Sequence, residues 1–467
     1  MKSKKIGLLQ MMMISVIAVD SIRTLPISAE FGPSLIFYYI LCGLFFLLPC
    51  AYVCAELSST WPETGGLYVW IKQAFGGRAA FISAWFLWVY NIIWFPTIMA
   101  FICQTLVTVF FPQAKSQSLD LVIFMWLLFW LLTGLNLFGV KVSSWISTVT
   151  AIIGTLLPMA VIIALGWFWL YQGRPMAIDL SWSSVVPDLN FHSMGMLTGL
   201  LFGLVGIEVS ASFAGDFDRP QRNFPISLFC SSLIILASLI LGSLAIAVVI
   251  PRDHLNLATG VIDAFGIFLK TFGLSRYLSW IAVAIFLGSL GGLSAWMAGP
   301  TRNLMRAAQE GDAPSFFAKA NRYGASSGLL LIQGLVFSIL SLVFVVVHQF
   351  NHAYWLLSAI TSQLSILVYL MIFASAIFLR YQQKHKPRPF QVPGGLVGMW
   401  LVAGLAFLTC VAVFILGFIP PDQLSIAHTM GYEITMVAGI VVTVMSGYWL
   451  SGRSSGQVMA SPSQREL

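Results

Sequence analysis

The stretch MMMISVIAVDSIRTLPISAEFG, residues 11–32, starts like a membrane helix and then departs from that pattern. It places Asp20 and Arg23 in an apolar run, and Pro26 follows. A charged side chain within a membrane helix costs at least about 2.5–3.5 kcal/mol, so it normally faces a cavity or a partner. We therefore predict that the helix is broken here and that the charges lie at the break. Direct pairing of Asp20 with Arg23, three residues apart, is the alternative.

The composition of the whole chain indicates a membrane protein. The chain has 467 residues, of which 58% are hydrophobic and 9% are charged. A soluble domain carries roughly a quarter charged residues, so this chain cannot build a polar exterior. Runs of about 20 apolar residues cross the bilayer as helices, because unpaired backbone groups are costly in lipid. The sequence therefore predicts an all-α integral membrane protein.

The apolar runs predict twelve transmembrane helices, which we number as spans in chain order and keep under these numbers below. Their predicted bounds are 6–30, 34–59, 79–111, 120–140, 143–171, 193–216, 223–250, 277–306, 325–347, 353–380, 396–419 and 431–451. The short basic N-terminus MKSKKIGLLQ is interpreted as the start of span 1, because no small-residue cleavage site follows it.

The distribution of basic residues predicts the orientation. With twelve spans, eighteen of the 24 Lys and Arg residues collect on one face of the membrane and five on the other, and Arg23 is the remaining one. The positive-inside rule then places both termini in the cytoplasm of a multi-pass inner-membrane protein. The net charge of +7 follows from this topology and requires no nucleic-acid partner.

Motifs for metal binding or catalysis are missing from the sequence. All six cysteines lie inside apolar spans, which favours buried free thiols. His348 and His352 are four residues apart but have no third ligand nearby. No phosphate loop, G-x-S-x-G elbow or zinc-protease motif occurs. We therefore predict no metal, no cofactor and no enzymatic activity.

A second interrupted helix is predicted in span 6, LLFGLVGIEVSASFAGD, which contains Gly203, Gly206 and Glu208. Spans 1 and 6 are five apart, and five is odd, so the two helices cross in opposite directions. Inverted repeats of secondary transporters hold their substrate between such interrupted helices. Two interpretations of Glu208 stay open: a structural hydrogen bond to the unwound backbone, or proton sensing and substrate contact.

The predicted organisation follows from this pairing. One five-helix repeat covers 1–171, an external loop covers 172–192, and the inverted repeat covers 193–380. Two further spans lie in 381–451, and a polar, disordered cytoplasmic tail covers 452–467.

Polar or aromatic groups of three other spans are candidates to line the same cavity. Packing between helices is the alternative interpretation for the Gly-rich span 8 and for Asn91. These groups are Tyr90, Asn91 and Trp94 in span 3, Ser294 and Trp296 in span 8, and Thr361 and Tyr369 in span 10.

Three motifs resemble those of the amino acid–polyamine–organocation superfamily. They are AELSSTWPETGGLYVWIKQAFG (55–76), GIEVSASFAGDFDRPQRNFPISL (206–228) and SAWMAGPTRNLMRAAQEGDAPSFFAKANRYGAS (294–326). Together with RPFQVPGG (388–395), the pattern is most similar to the glutamate/GABA antiporter subfamily, and the resemblance covers nearly the whole chain.

The resemblance implies a LeuT-type five-plus-five inverted repeat with spans 1 and 6 broken and two C-terminal helices added. It implies that substrate binds at both breaks, with contributions from spans 3, 8 and 10. The predicted substrate site comprises Val19, Asp20, Ser21, Ile22, Arg23, Tyr90, Asn91, Gly203, Val205, Gly206, Ile207, Glu208, Ser294, Trp296, Thr361 and Tyr369.

Two features depart from the family pattern. Only about sixteen residues follow span 12, so the tail that plugs the cytoplasmic mouth of acid-resistance antiporters is expected to be missing. In some superfamily members a lysine on span 5 replaces a sodium ion. Residues 142–171 contain no lysine, and Thr148 occupies the corresponding position. Proton coupling, sodium coupling and plain exchange all stay open.

We therefore predict an inner-membrane amino acid transporter that works by alternating access as an exchanger. The substrate carboxylate is expected on backbone N–H groups of span 1 and the amino group on span 6 carbonyls such as that of Val205. Arg23 would attract an acidic side chain and Asp20 a basic one. Asp20 keeps a cationic amino acid or polyamine exchanger open, and a nutrient receptor that binds without transport is a further alternative.

Overall fold

The computed structural model describes residues 7–63, 65–113, 119–138, 152–187, 197–210, 219–347, 350–419 and 429–452. Every regular element within these ranges is a helix. Eleven of the described helices are long and apolar enough to cross a membrane. The prediction of an all-α membrane protein is therefore confirmed.

The eleven long helices correspond to eleven of the predicted spans, with ends shifted by a few residues. Spans 1 to 5 are Leu8–Ala29, Gly32–Thr60, Gly77–Phe110, Leu119–Leu137 and Ile152–Tyr171. Spans 7 to 12 are Gln221–Val249, Ser275–Gln309, Ser327–Val346, Phe350–Gln382, Gly395–Leu416 and Gly431–Gly452.

The described part of span 6 is shorter than a membrane crossing. Its described part is the short apolar segment Leu197–Ser210, and its predicted ends, 193–196 and 211–216, lie outside the described residues. The predicted start of span 5 at 143–151 and the tail at 453–467 also fall outside them.

Between the described spans lie two helices of 10 and 12 residues, which the sequence did not predict. They are Gly66–Phe75, between spans 2 and 3, and Gly260–Thr271, between spans 7 and 8. Both bury an apolar face; in the second helix Val261, Phe265 and Phe268 are at most 1% exposed.

Span 3 occupies the centre of the bundle. In the apolar 18-residue stretch of span 3, 72% of the residues are buried inside the protein, and in that of span 10 the share is 67%. The corresponding values for spans 11 and 12 are 33% and 22%, so these helices lie at the periphery. Span 3 packs against spans 8 and 10, which places its polar residues in the middle of the molecule.

A buried ionic network joins two of the motifs quoted above. Glu56 of span 2 is 1% exposed. Its carboxylate accepts hydrogen bonds from Arg380 at 2.6 and 2.5 Å and from the backbone amide of Val392 at 2.8 Å, and Arg388 lies 3.2 Å away. One carboxylate therefore holds the segment before span 11 against spans 2 and 10.

A second, half-buried cluster joins the helix Gly66–Phe75 to the end of span 8. Lys72 contacts Asp312 and, at 2.9 Å, Glu310. The Tyr68 hydroxyl donates to Asp312 at 2.5 Å, and Arg306 donates to Glu310 at 2.8 Å. Partial burial opposes ionisation of Glu310, but its bonds to Lys72 and Arg306 outweigh this and hold its pKa below the ordinary value.

We expect this cluster to make a small contribution to stability that disappears in acid. Because the pKa of Glu310 is lowered, the contribution is present above the ordinary value of about 4.3 and is lost as the pH falls further. The half-exposed pair is worth about 0–1 kcal/mol. Thermal unfolding should therefore show Lys72→Gln melting slightly below the wild type at pH 7 and level with it near pH 3, with the exposed Lys270→Gln as control. An equal difference at both pH values would contradict the assignment.

Candidate substrate-binding site

The first helix of span 1 ends where the sequence places its first charge. An α-helix runs over Leu8–Val19, and then Asp20 and Ser21 are extended, with φ/ψ of −70/112° and −130/119°. A 3₁₀ turn at Ile22–Thr24 leads into the helix Leu25–Ala29. Pro26 lies in the first turn of this second helix, where proline is tolerated because no donor is needed there.

The break leaves backbone donors unused. Within the described residues, the amides of Ser21, Ile22 and Arg23 donate no hydrogen bond. Unpaired amides at the N-terminus of a helical segment form a site for an anion, which the helix dipole also favours.

Span 6 is interrupted in a complementary way. The helix Leu197–Phe202 gives way to turns at 203–206, and a 3₁₀ segment follows at 207–210. The carbonyls of Gly203, Leu204 and Val205 accept no hydrogen bond from the residues that the structure describes. Free carbonyls are acceptors for an ammonium group or a cation.

The two breaks face one cavity of about 760 Å³, including its open part. Its wall is formed by spans 1, 3, 5, 6 and 8. The predicted site residues in this wall are Val19, Asp20, Ser21, Ile22, Arg23, Tyr90, Asn91, Gly203, Val205 and Trp296.

The predicted alternative that Asp20 and Arg23 pair with each other is wrong, because each contacts a different helix. The Asp20 carboxylate accepts a hydrogen bond from Ser238 of span 7 at 2.7 Å. The Arg23 guanidinium donates to the Tyr354 hydroxyl of span 10 at 2.9 Å. Both side chains are 2% exposed, so two opposite charges lie separately in the wall of one cavity.

Aromatic rings cover the cavity on the side of spans 3 and 8. The guanidinium of Arg23 lies 5.5 Å from the ring centroid of Trp94, a distance typical of cation–π contacts. The ring of Trp94 meets that of Trp296 edge-on, with centroids 6.0 Å apart. A Cβ atom on Gly206 would lie 3.3 Å from Trp296, so this ring lies over the span 6 break.

Glu208 lies behind the cavity wall and stabilises the span 6 break. The Gly206 amide donates to Glu208 at 3.2 Å and to the Tyr369 hydroxyl at 2.8 Å. Tyr369 in turn donates to Glu208. This is the structural hydrogen bond to unwound backbone that the sequence offered as one interpretation of Glu208.

The other predicted site residues also lie outside the cavity wall. Ser294 and Asn136 of span 4 are hydrogen-bonded at 3.1 Å, and Thr361 donates to the carbonyl of Leu357 in its own helix at 2.7 Å. Gly206, Ile207 and Tyr369 are absent from the wall as well.

Several wall residues were not predicted from the sequence. Ile98 lies one turn beyond Trp94, and Tyr90 lies one turn before it. This spacing of four residues places all three on one face of span 3, so the helical period was a usable signal. The remaining unpredicted wall residues are Ile17, Ala18, Thr24, Thr155, Phe202, Gly288, Ser289, Gly292 and Leu293.

A helical membrane protein with two interrupted spans around one cavity that has buried charged side chains in its wall has the architecture of a secondary transporter. Comparison with known proteins specifies the family. The profile of the amino acid permease family matches residues 6–443. The chain belongs to this family, as the resemblance of its motifs predicted.

Three relatives show how similar proteins are named. A protein of Legionella pneumophila named an uncharacterized transporter is 44% identical over 463 residues, which cover 98% of this chain and 99% of the relative. A glutamate/gamma-aminobutyrate antiporter of Lactococcus lactis is 27% identical, with 95% of this chain and 90% of the relative covered. A probable agmatine/putrescine antiporter of the same species is 26% identical, with 94% and 93% covered.

Proposed function

We propose that this transporter exchanges amino acids across the bacterial inner membrane by alternating access, with both termini in the cytoplasm. The observation that carries the proposal is the meeting of three amides and two carbonyls at one cavity, all of them without a hydrogen-bond partner among the described residues. The amides of residues 21–23 bind the carboxylate of the substrate, and the carbonyls of Gly203 and Val205 bind its amino group. A zwitterion is therefore held by main-chain groups of two opposed helices.

The proposed movement follows from the arrangement of the spans. Spans 1–5 and 6–10 form the two inverted repeats, and the substrate lies between their first helices. Rocking of one helix group against the other opens the cavity to each side in turn. The excess of Lys and Arg on one predicted face supports the cytoplasmic location of the termini.

Exchange, rather than one-way uptake, is supported by the two relatives named as antiporters. Asp20 favours a second candidate function, the exchange of cationic amino acids or amines, because its buried carboxylate lines the cavity.

Counterflow in proteoliposomes tests the proposal. The full-length protein is reconstituted, and uptake of labelled glutamate, GABA, arginine, agmatine and leucine is measured with each compound loaded inside in turn. The series is repeated at several pH values, with and without sodium, and with protein-free vesicles as control. We expect uptake that requires a loaded interior.

Three other results would each correct the proposal in a different way. Uptake into empty vesicles would replace exchange by one-way transport. Binding without counterflow would indicate a receptor. An absence of both binding and flux for every amino acid and amine would remove the proposed function.

A further inference from the structure

The guanidinium of Arg23 is a buried cation with too few acceptors. It lines the cavity and is 2% exposed. Of the five N–H donors of a guanidinium, one donates to the neutral hydroxyl of Tyr354. The Nε atom is buried and has no hydrogen-bond partner among the described residues. A buried cation requires an anion close by, and Asp20 does not supply it.

Asp20 shows the opposite deficit in the same wall. Its Oδ2 atom accepts the bond from Ser238, while Oδ1 is buried without a partner in the described part of the chain. On span 3, the Tyr90 hydroxyl and the Trp94 Nε1 line the same cavity and have no partner among the described residues. The free side-chain groups of the cavity thus require a ligand that carries both a cationic group and anionic oxygens.

We propose that Arg23 is a specificity-determining residue that binds the side-chain carboxylate of a dicarboxylic amino acid. This inference rests on the proposed function, since it assigns the free amides of residues 21–23 to the α-carboxylate. The guanidinium is then available for a second carboxylate, whose two oxygens match its planar pairs of N–H donors. Asp20 supplies a further acceptor for the ammonium group.

The same arrangement discriminates against the other substrate classes. A neutral side chain leaves the guanidinium unpaired, and a site built to hydrogen-bond a group rejects the analogue that lacks it. A dication such as agmatine would place positive charge beside Arg23, and this repulsion disfavours its binding. Arg23 therefore favours glutamate-like substrates over the amines that Asp20 alone would favour.

Competition between glutamate and glutamine tests Arg23, because the two differ little beyond the charge of one terminal group. Counterflow of labelled glutamate is measured against unlabelled glutamate, glutamine and agmatine. We expect the wild type to prefer glutamate over glutamine by at least about tenfold. Arg23→Gln should reduce this preference to below about threefold, while Arg276→Gln, at an exposed position, should keep it.

Binding to the detergent-purified protein provides a readout that does not depend on transport. Glutamate should raise the melting temperature of the wild type and of Arg276→Gln by clearly more than that of Arg23→Gln. Tyr354→Phe removes only the hydroxyl that positions the guanidinium and should lower the glutamate preference to an intermediate value.

Two variants keep the inference testable if Arg23→Gln does not fold. Arg23→Lys retains the charge without the planar donor pairs, and we expect it to keep glutamate above agmatine while losing several-fold against glutamine. An unchanged glutamate-to-glutamine ratio in a folded Arg23→Gln, or in both Arg23→Lys and Tyr354→Phe, would overturn the inference.

The wild type alone separates failure of this inference from failure of the proposed function. If it transports glutamine or agmatine in preference to glutamate, only the role of Arg23 is refuted. If it neither binds nor transports any compound of the panel, the proposed function itself fails.

Discussion

Glu56→Gln is expected to destabilise the protein by about 3–5 kcal/mol, which is the usual cost of removing one partner from a buried ion pair. The change replaces a carboxylate that receives bonds from Arg380 and the Val392 amide by a neutral amide. The buried guanidinium groups of Arg380 and Arg388 are then left without the anion that they both contact. Thermal unfolding in detergent measures the loss, and limited proteolysis should show earlier cleavage in the segment before span 11.

Glu63→Gln is the matched control for this experiment. Glu63 makes an ion pair with Arg306 at 3.4 Å, but its side chain is 59% exposed. Exposed pairs contribute about 0–1 kcal/mol, so this variant should unfold close to the wild type. Combining Glu56→Gln with Arg380→Gln should cost less than the sum of the two single changes, because contacting residues are coupled. Equal losses for Glu56→Gln and Glu63→Gln would refute the role of the network.

Gly206→Ala is expected to have the second large effect, on transport. Gly206 has a φ of 125°, which L-residues with a side chain rarely adopt. A Cβ atom there would lie 2.6 Å from the carbonyl oxygen of Ala18, and backbone cannot rotate away as a side chain can. Backbone strain alone costs about 1–3 kcal/mol, which corresponds to about five- to 150-fold in affinity. Counterflow should therefore fall by at least about fivefold.

Gly299→Ala supplies the control for that substitution. Gly299 lies in span 8, and a Cβ atom there would meet nothing within 4 Å. This variant should therefore transport at the wild-type rate. Wild-type counterflow by Gly206→Ala would show that spans 1 and 6 do not need to approach so closely at their breaks.

Much of the fold could be predicted because span length is a local property of the sequence. An apolar run of sufficient length specifies a membrane helix without knowledge of its neighbours. The break in span 1 was also predictable, because Asp20 and Arg23 cannot face lipid. The exact position of the break was not predictable. The chain is extended at Asp20 and Ser21, and Pro26 lies in the first turn of the second helix instead of ending the first helix.

The partners of the charged residues could not be predicted in the same way. Asp20 bonds to a serine 218 residues away, and Arg23 to a tyrosine 331 residues away. Proximity in sequence favoured their pairing with each other, but tertiary packing separates them. Ser294 and Thr361 illustrate the same limit, since a polar residue in a span can bond to a neighbouring helix or to its own backbone.

The Tyr369 hydroxyl connects span 10 to the interrupted part of span 6 through two bonds made by one oxygen. It accepts from the Gly206 amide and donates to Glu208. A displacement of span 10 that carries this oxygen out of hydrogen-bond range would therefore release the Gly206 amide and Glu208 together. Packed contacts of this kind give a protein discrete resting geometries instead of a continuous range. Transport through this cavity should then proceed in steps, with the release of that single oxygen as one of them.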